Sequence, residues 1–386
     1  MPRVGRPSAR ARPAASRGAR RCGWGESEAR RLCSSPGWFT GSQASADYRR
    51  AVQVRSDVPL AGLTTLAVGG PAERLVEVET AAELVAAVRD ADESGRPLLL
   101  LGGGSNLIAP DEGWPGDVVA VRSRGIERTG DTLVVQAGED WDALVAHTVE
   151  QRLAGVEALS GIPGSTGATP VQNVGAYGQE VAQTITAVRV YDRAEKVERT
   201  LGPAECGFAY RDSRLKREAG RFVVLEVAFA LEAGELSRPV GYAELARSLG
   251  VEVGARAPLA AVRDAVLALR RGKGMVWDAA DPDSRSAGSF FTNPIVAAER
   301  AVEGCPSWPA GDGQLKLSAA WLVQHAGFGR GTRDGRVGTS SRHSLALTTE
   351  DGATAAELLA FADRVVGAVR ERFGVTLERE PTAVRP

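Results

Sequence analysis

Cysteine is scarce and scattered. Cys22, Cys33, Cys206 and Cys305 are the four in 386 residues. None stands in C-x-x-C spacing, which argues against a disulfide framework or a zinc site and fits a reducing, cytoplasmic setting with no bound metal. Lysine is just as rare, at positions 196, 216, 273 and 316, so nearly all positive charge is arginine. Arginine abundance alone is therefore weak functional evidence. No apolar run approaches the roughly 18 residues that a membrane helix needs. Charges nearly cancel, at −1 overall with a pI near 6.4, which removes any overall pull toward nucleic acid or a membrane surface. No internal repeat is visible. What is present, 43% hydrophobic and 25% charged residues, is the composition of a soluble globular protein long enough for two or three domains.

The first 50 residues differ from the rest. Arg3, Arg6, Arg10, Arg12, Arg17, Arg20 and Arg21 precede the first acid, Glu26, and no steady period appears, so residues 1–50 read as a disordered extension. The acid-poor start resembles a transit peptide, yet it has no clear amphipathic period and no apolar core of a secretory signal. A dispensable tail and an upstream mis-assigned start both remain open.

Glycine is concentrated where function is expected. Gly155 to Val181, GVEALSGIPGSTGATPVQNVGAYGQEV, holds six glycines and two prolines in 27 residues, with no charge between Glu157 and Glu180. So much glycine costs backbone entropy, accepted where the main chain must turn tightly or press its N–H groups against a ligand. Ser165, Thr166, Thr169, Gln172 and Asn173 add hydroxyls and amides, which suits a diphosphate or a flavin ring held by neutral donors. A glycine-rich surface loop has the same composition. The second loop weighs against that reading: LLLLGGGSNLI, Leu98 to Ile108, is an apolar strand that runs into a glycine cluster, the way anion-binding concavities are built. It lacks the G-x-G-x-x-G spacing of a Rossmann turn. Gly272-Lys273 is no Walker loop either, since Gly274 stands where Ser or Thr should bind magnesium.

Periodicity supplies the frame. A helix is predicted over 81–93, with Thr80 and Glu83 as a capping box and Gly95 as its stop. Others are predicted at 141–153, 259–271, 318–326 and 355–373, the last capped by Thr354 and Glu357. Strands are predicted at 98–101, 118–121, 132–136, 187–191, 197–201 and 222–231. The LALT segment makes the C-terminal part mixed as well. The fold class is α+β.

The pair LGGGSNL and SGIPGSTGATPVQNVGAYGQE resembles the FAD-binding domain of the UDP-N-acetylenolpyruvoylglucosamine reductase family. This resemblance implies the flavin fold shared with vanillyl-alcohol oxidase and p-cresol methylhydroxylase, followed by a C-terminal substrate domain. The expected division is 51–235 for FAD and 236–386 for substrate, with the terminal segment returning to the active site. Non-covalent FAD would be held by Gly102, Gly103, Gly104, Ser105 and Asn106 from one loop. Gly161, Gly164, Ser165, Thr166, Gly167, Asn173, Gly175, Ala176 and Tyr177 would serve from the other.

Reducing an enolpyruvyl ether needs a hydride at one alkene carbon, a proton at its neighbour and cations beside the carboxylate. YRDSRLK, Tyr210 to Lys216, is similar to the family's YRDS motif, which implies that Arg211 stabilises the enolate and that Tyr210 contacts substrate. SAGSFFTNP, Ser286 to Pro294, resembles GSFF-x-NP, which implies Ser289 as the proton donor and Asn293 as a substrate ligand. GVTLEREP resembles the family's LEPE segment and implies Glu380 as the catalytic carboxylate. Here Arg379 replaces a proline, and Glu378 is a rival. Tyr242 resembles the mobile-loop tyrosine of the type I branch, Lys273 its substrate lysine, and His343 a polar substrate contact. His147 reads as a surface histidine, and His325 as structural.

The resemblance spans about residues 54–382. It implies NADPH as hydride donor, UDP-N-acetylglucosamine enolpyruvate as the small-molecule substrate, no nucleic-acid or membrane partner, and a monomer by default. An oxidase of the same fold is a second reading, although such enzymes often tether flavin through histidine and neither glycine loop holds one. A sugar-nucleotide binding protein that has lost catalysis is a third, supported only by Arg379 and the short tail.

Overall fold

In the computed structural model, which describes residues 52–386, Thr80 and Glu83 close a capping box on α1 (Ala81–Glu93). The Glu83 N–H donates to Thr80 Oγ1 at 3.1 Å, and the Thr80 N–H donates to Glu83 Oε2 at 3.2 Å, satisfying donors the first turn would otherwise waste. Leu84, Val85 and Val88 face inward. They cover a four-stranded sheet in the order Val54–Pro59, Pro71–Val78, Trp114–Val121, Leu98–Leu101. The last three strands run parallel, so Val118, Val119 and Ala120 are buried and read as an unbroken apolar run. Trp114–Val121 begins four residues before the predicted 118, because its first half, WPGD, carries turn residues that pairing overrides. The expected extension 1–50, with Cys22 and Cys33, lies outside the described residues.

The second sheet is antiparallel, in the order Val197–Leu201, Ile185–Asp192, Phe222–Ala230, Thr132–Gln136, Ile126–Thr129. Against it packs α2 (Trp141–Glu150), through Trp141, Leu144 and Val145. This helix stops three residues short of the predicted 153, because Arg152 turns left-handed at φ 57°. Val149 is half-buried, whereas Thr148 is buried and its hydroxyl donates to the Val145 carbonyl at 2.8 Å. Buried Cys206 belongs to this core. Burial pushes its thiol up to about 11, so it behaves as a small apolar side chain.

Beyond residue 236 the chain first adds α3 (Ala243–Leu249) and α4 (Leu259–Gly272), which pack on each other, with α4 also against α2 and the turn at Glu157–Leu159. It then builds a third, antiparallel sheet in the order Ser286–Ser289, Ala346–Thr349, Val337–Thr339, Arg333–Asp334. A three-stranded sheet centred on Gln314–Leu317 leads into α5 (Ala319–His325). The third sheet is covered by α6 (Ala355–Phe373), whose Leu358, Phe361, Val365 and Val369 form the inner stripe. Its N-terminal N–H groups are also met by Asp111, which accepts from Ala355 at 2.7 Å and Ala356 at 2.9 Å. The C-terminal strand Thr382–Ala383 then lies parallel to Leu107–Ile108, bringing the end of the chain back beside the first glycine loop.

Candidate active site

A cavity of about 1080 Å³ lies where the glycine loops, the third sheet and the C-terminal segment meet. Its size exceeds the roughly 300–1,000 Å³ of a single small-ligand pocket. Arg211, Ser289 and Glu380 all line it, as do Tyr210, Tyr242, Lys273, Asn293 and His343.

Arg211 is positioned by its backbone. It adopts φ 53°, a left-handed conformation uncommon for a side-chain-bearing residue, at the turn closed by Ala209 and Asp212. Lys216 Nζ donates to the Arg211 carbonyl at 2.9 Å and fixes that turn. The guanidinium donates to the Gly175 carbonyl and stands 3.3 Å from Glu380 Oε1. A Cβ at Gly175 would sit 2.7 Å from Glu180 Cγ, 2.8 Å from the Gln179 carbonyl oxygen and 2.9 Å from Arg211 Nη1, so glycine is needed there chiefly against the Gln179 backbone, with the arginine close behind. The Tyr210 ring is flanked by the Arg211 guanidinium at 5.3 Å and Lys316 Nζ at 4.8 Å.

Ser289 and Glu380 are joined through one residue. Phe290 and Phe291 are fully buried, each worth about 2–3 kcal/mol, and anchor the GSFF strand. The Glu380 N–H donates to the Phe290 carbonyl at 2.9 Å, while Thr292 donates to the Glu378 carbonyl at 3.0 Å. Glu380 is thus delivered into the cavity beside Ser289, whereas Glu378 is exposed. Arg379 turns outward to pair with Asp363 on α6, so the change from proline leaves the approach of Glu380 intact. Burial pushes the Glu380 carboxyl above its ordinary range, and Arg211 and Lys216 pull it back. Among the described residues the Ser289 hydroxyl has no hydrogen-bond partner.

On another wall Lys273 pairs with Glu244 at 2.7 Å and sits 5.6 Å from the Tyr177 ring, which meets Tyr242 edge-on at 5.5 Å. Burial pushes the Tyr177 hydroxyl up to about 12. Burial and then Lys273 lower the His343 imidazole to about 4, so it is neutral at pH 7. His325 is exposed and stacked on Trp321 at 3.7 Å, and His147 is half-buried; neither lines the cavity.

The glycine loops divide into residues that face the cavity and residues that bring the loops together. Ser105, Asn106, Gly164, Ser165, Gly175, Ala176 and Tyr177 line it. Gly102, Gly103, Gly104, Gly161, Thr166, Gly167 and Asn173 are absent from its wall. A Cβ at Gly102 would lie 2.4 Å from Ser165 Oγ, and one at Gly103 2.6 Å from Gly164 Cα, so these glycines let the two loops touch. Gly167 lies as tightly on Ala137. Asn173 is a buried staple, donating to Glu180 at 2.9 Å and to the Ala209 carbonyl at 2.9 Å, which ties the loop to the Arg211 turn.

Two observations fit an extended diphosphate-bearing cofactor here. Thr166 Oγ1 is buried with no hydrogen-bond partner. Among the described residues the main-chain N–H groups of Ser105 and Asn106, which line the cavity, have no acceptor and offer neutral donors.

Several cavity residues escaped the motif reading. Arg270 is 8% exposed, donating to the carbonyls of Gly161 at 3.2 Å and Met275 at 2.8 Å. Its signal was an arginine extending the inward i, i+4 series Val262, Val266 of α4. Lys216 and Lys316 line the cavity too, so three of the four lysines in an arginine-rich chain converge there. That scarcity could have pointed to them.

The profile described as UDP-N-acetylenolpyruvoylglucosamine reductase, C-terminal domain, matches residues 281–384, and an FAD binding domain profile matches 72–201. A UDP-N-acetylenolpyruvoylglucosamine reductase of Thermobifida fusca is 55% identical over 346 residues, 85% of this chain and 97% of the relative. One from Streptomyces coelicolor is 54% identical over 348 residues, covering 86% and 91%. The crystal structure of UDP-N-acetylenolpyruvylglucosamine reductase from Thermus caldophilus superposes with a TM-score of 0.62 at 27% identity, covering 86% of this chain and all of that one.

Proposed function

The chain belongs to the UDP-N-acetylenolpyruvoylglucosamine reductase family, and from that premise we infer that it reduces UDP-N-acetylglucosamine enolpyruvate to UDP-N-acetylmuramate, with NADPH and FAD, in peptidoglycan precursor synthesis. We place the step in the cytoplasm, where it feeds cell-wall growth, shape and division. Residues from about 51 to 235 form the FAD part and those from 236 onward the substrate part, with the last strand returned to the first. When bound, FAD would supply the hydride transfer that links NADPH to the enolpyruvyl alkene. The observation that carries this reading is the convergence of Arg211, Ser289 and Glu380 on one cavity bordered by both glycine loops.

Each residue then has a role. Ser105, the Asn106 main chain, Gly164, Ser165, Gly175, Ala176 and Tyr177 would hold the cofactor with neutral groups. Gly102 and Gly103 let the two loops touch, while Gly104, Gly161, Gly167 and Asn173 seat them on their neighbours. Arg211 meets the negative charge that grows toward the substrate carboxylate, with the fork that a guanidinium offers. Ser289 gives its proton to the carbon beside the one that receives hydride. Because a hydroxyl is a weak acid, this transfer depends on a closed site with Arg211 and Glu380 at hand. Lys273 must release Glu244 to bind a phosphate, and Tyr242 is then free to close over it. Tyr210, Asn293 and His343 complete the substrate side.

The test is spectroscopic. Purified protein should be yellow, bleach on NADPH, and recover its colour when UDP-N-acetylglucosamine enolpyruvate is added without oxygen. Recovery only with oxygen would point to an oxidase, and a colourless protein to a binding role.

A further inference from the structure

Gln172 lies in the second glycine loop, and its amide is oriented from one side. Asn106 donates from Nδ2 to Gln172 Oε1 at 2.6 Å and to the Glu380 carbonyl at 3.2 Å. With its oxygen engaged, Gln172 turns its NH₂ group to the cavity, where Nε2 stands 3.4 Å from Glu380 Oε1. The reverse orientation would set two acceptors against each other, so the network itself fixes the amide. The same Oε1 faces Arg211 Nε at 3.3 Å. Among the described residues no hydrogen bond reaches Oε2.

We propose that Gln172 is a positioning residue: locked by Asn106, it clamps Oε1 of Glu380 together with Arg211, so that Oε2 is the oxygen presented to the substrate. This rests on the reading of Glu380 as a catalytic carboxylate. The main chain of Glu380 is held by Phe290, but its side chain keeps three rotatable bonds. One hydrogen bond and one ion pair on the same oxygen restrict that freedom. The clamp also couples the two sides of the cavity, because Asn106 and Gln172 come from the two glycine loops while Glu380 comes from the chain end. The charged and titratable groups around it are Arg211, Lys216 and Tyr210, with Lys316 over the Tyr210 ring.

The holoenzyme variants Gln172→Met, Gln172→Glu and Glu380→Gln separate the possibilities, each followed by stopped-flow absorbance in both half-reactions. Gln172→Met, of similar length with no donor, should slow substrate-dependent reoxidation about 100-fold, the cost of a reacting group misplaced by about 1 Å. Its effect on NADPH-dependent bleaching should be at least about tenfold smaller. Gln172→Glu can donate only when protonated, and beside Glu380 the pair will share a proton. Its reoxidation rate should therefore climb as the pH falls from about 8 to 5.5, a dependence absent from Gln172→Met. The proposal is overturned if Gln172→Met reoxidises within about twofold of wild type while Glu380→Gln is slow. Should Gln172→Met fail to fold, a flat profile for Gln172→Glu overturns it equally. If Glu380→Gln itself reoxidises at the wild-type rate, the role given to Glu380 is what fails.

Discussion

The two sides of the cavity are built from different chemistry. The glycine loops present main-chain N–H groups, hydroxyls and amides, with Glu180 the one charged side chain that their residues between 162 and 183 contribute. Across from them stand Arg211, Lys216, Lys273, Lys316 and Glu380. The first wall suits a cofactor held by shape, where the glycines matter because they permit contact between loops. The second wall suits a substrate whose charge changes during reaction, where each cation is placed by a specific neighbour. Mutations on the two walls should therefore fail in different ways.

The largest expected effect is on the charged wall. Arg211→Lys keeps the charge and loses the fork, so kcat/KM for the sugar nucleotide should fall about 10²–10³-fold with flavin content unchanged. Steady-state kinetics and the visible spectrum check both halves of that statement. On the neutral wall, Gly102→Val would drive a side chain into Ser165 Oγ and part the loops. The expected loss is of bound flavin, read from the absorbance ratio of the purified protein, with the apoprotein still folded by circular dichroism. Gly175→Ala tests the seam between the walls: its methyl displaces Arg211, and about a tenfold loss of kcat/KM is expected at normal flavin content.

How far these walls were legible in the sequence follows from how local their signals are. Thr80 with Glu83 and Thr354 with Glu357 are contiguous signals, and both boxes form as read. The YRDS and GSFF motifs were legible as strings, and their residues meet in one cavity. What the string could not carry was division of labour inside the glycine loops. Whether Gly103 faces a ligand or Gly164 depends on a strand and a loop 60 residues apart, and the same residue type serves both ends. Asn106 and Asn173 likewise read as neutral donors for a ligand, yet their amides are largely spent on Glu380, Gln172 and the Arg211 turn. The choice between Glu378 and Glu380 needed the pairing of the chain end with Phe290 and Thr292.

Two smaller effects mark the edges of the comparison. Burial holds the His343 imidazole at about 4, below its ordinary 6.5, so between those values the unfolded chain binds a proton that the folded chain does not. Stability therefore falls as the pH drops through that window, and His343→Gln should flatten the decline in Tm between pH 7 and 4.5. Thr354→Ala, far from both walls, should cost about 1 kcal/mol in urea denaturation and leave kcat/KM within about twofold.

Stopped-flow absorbance of Ser289→Ala tests most directly whether one cavity serves both half-reactions with separate groups. Bleaching by NADPH should stay near the wild-type rate, while recovery with UDP-N-acetylglucosamine enolpyruvate should slow by about 10²–10⁴-fold, the worth of a positioned proton donor. Equal slowing of the two steps, or recovery at the wild-type rate, would contradict that assignment.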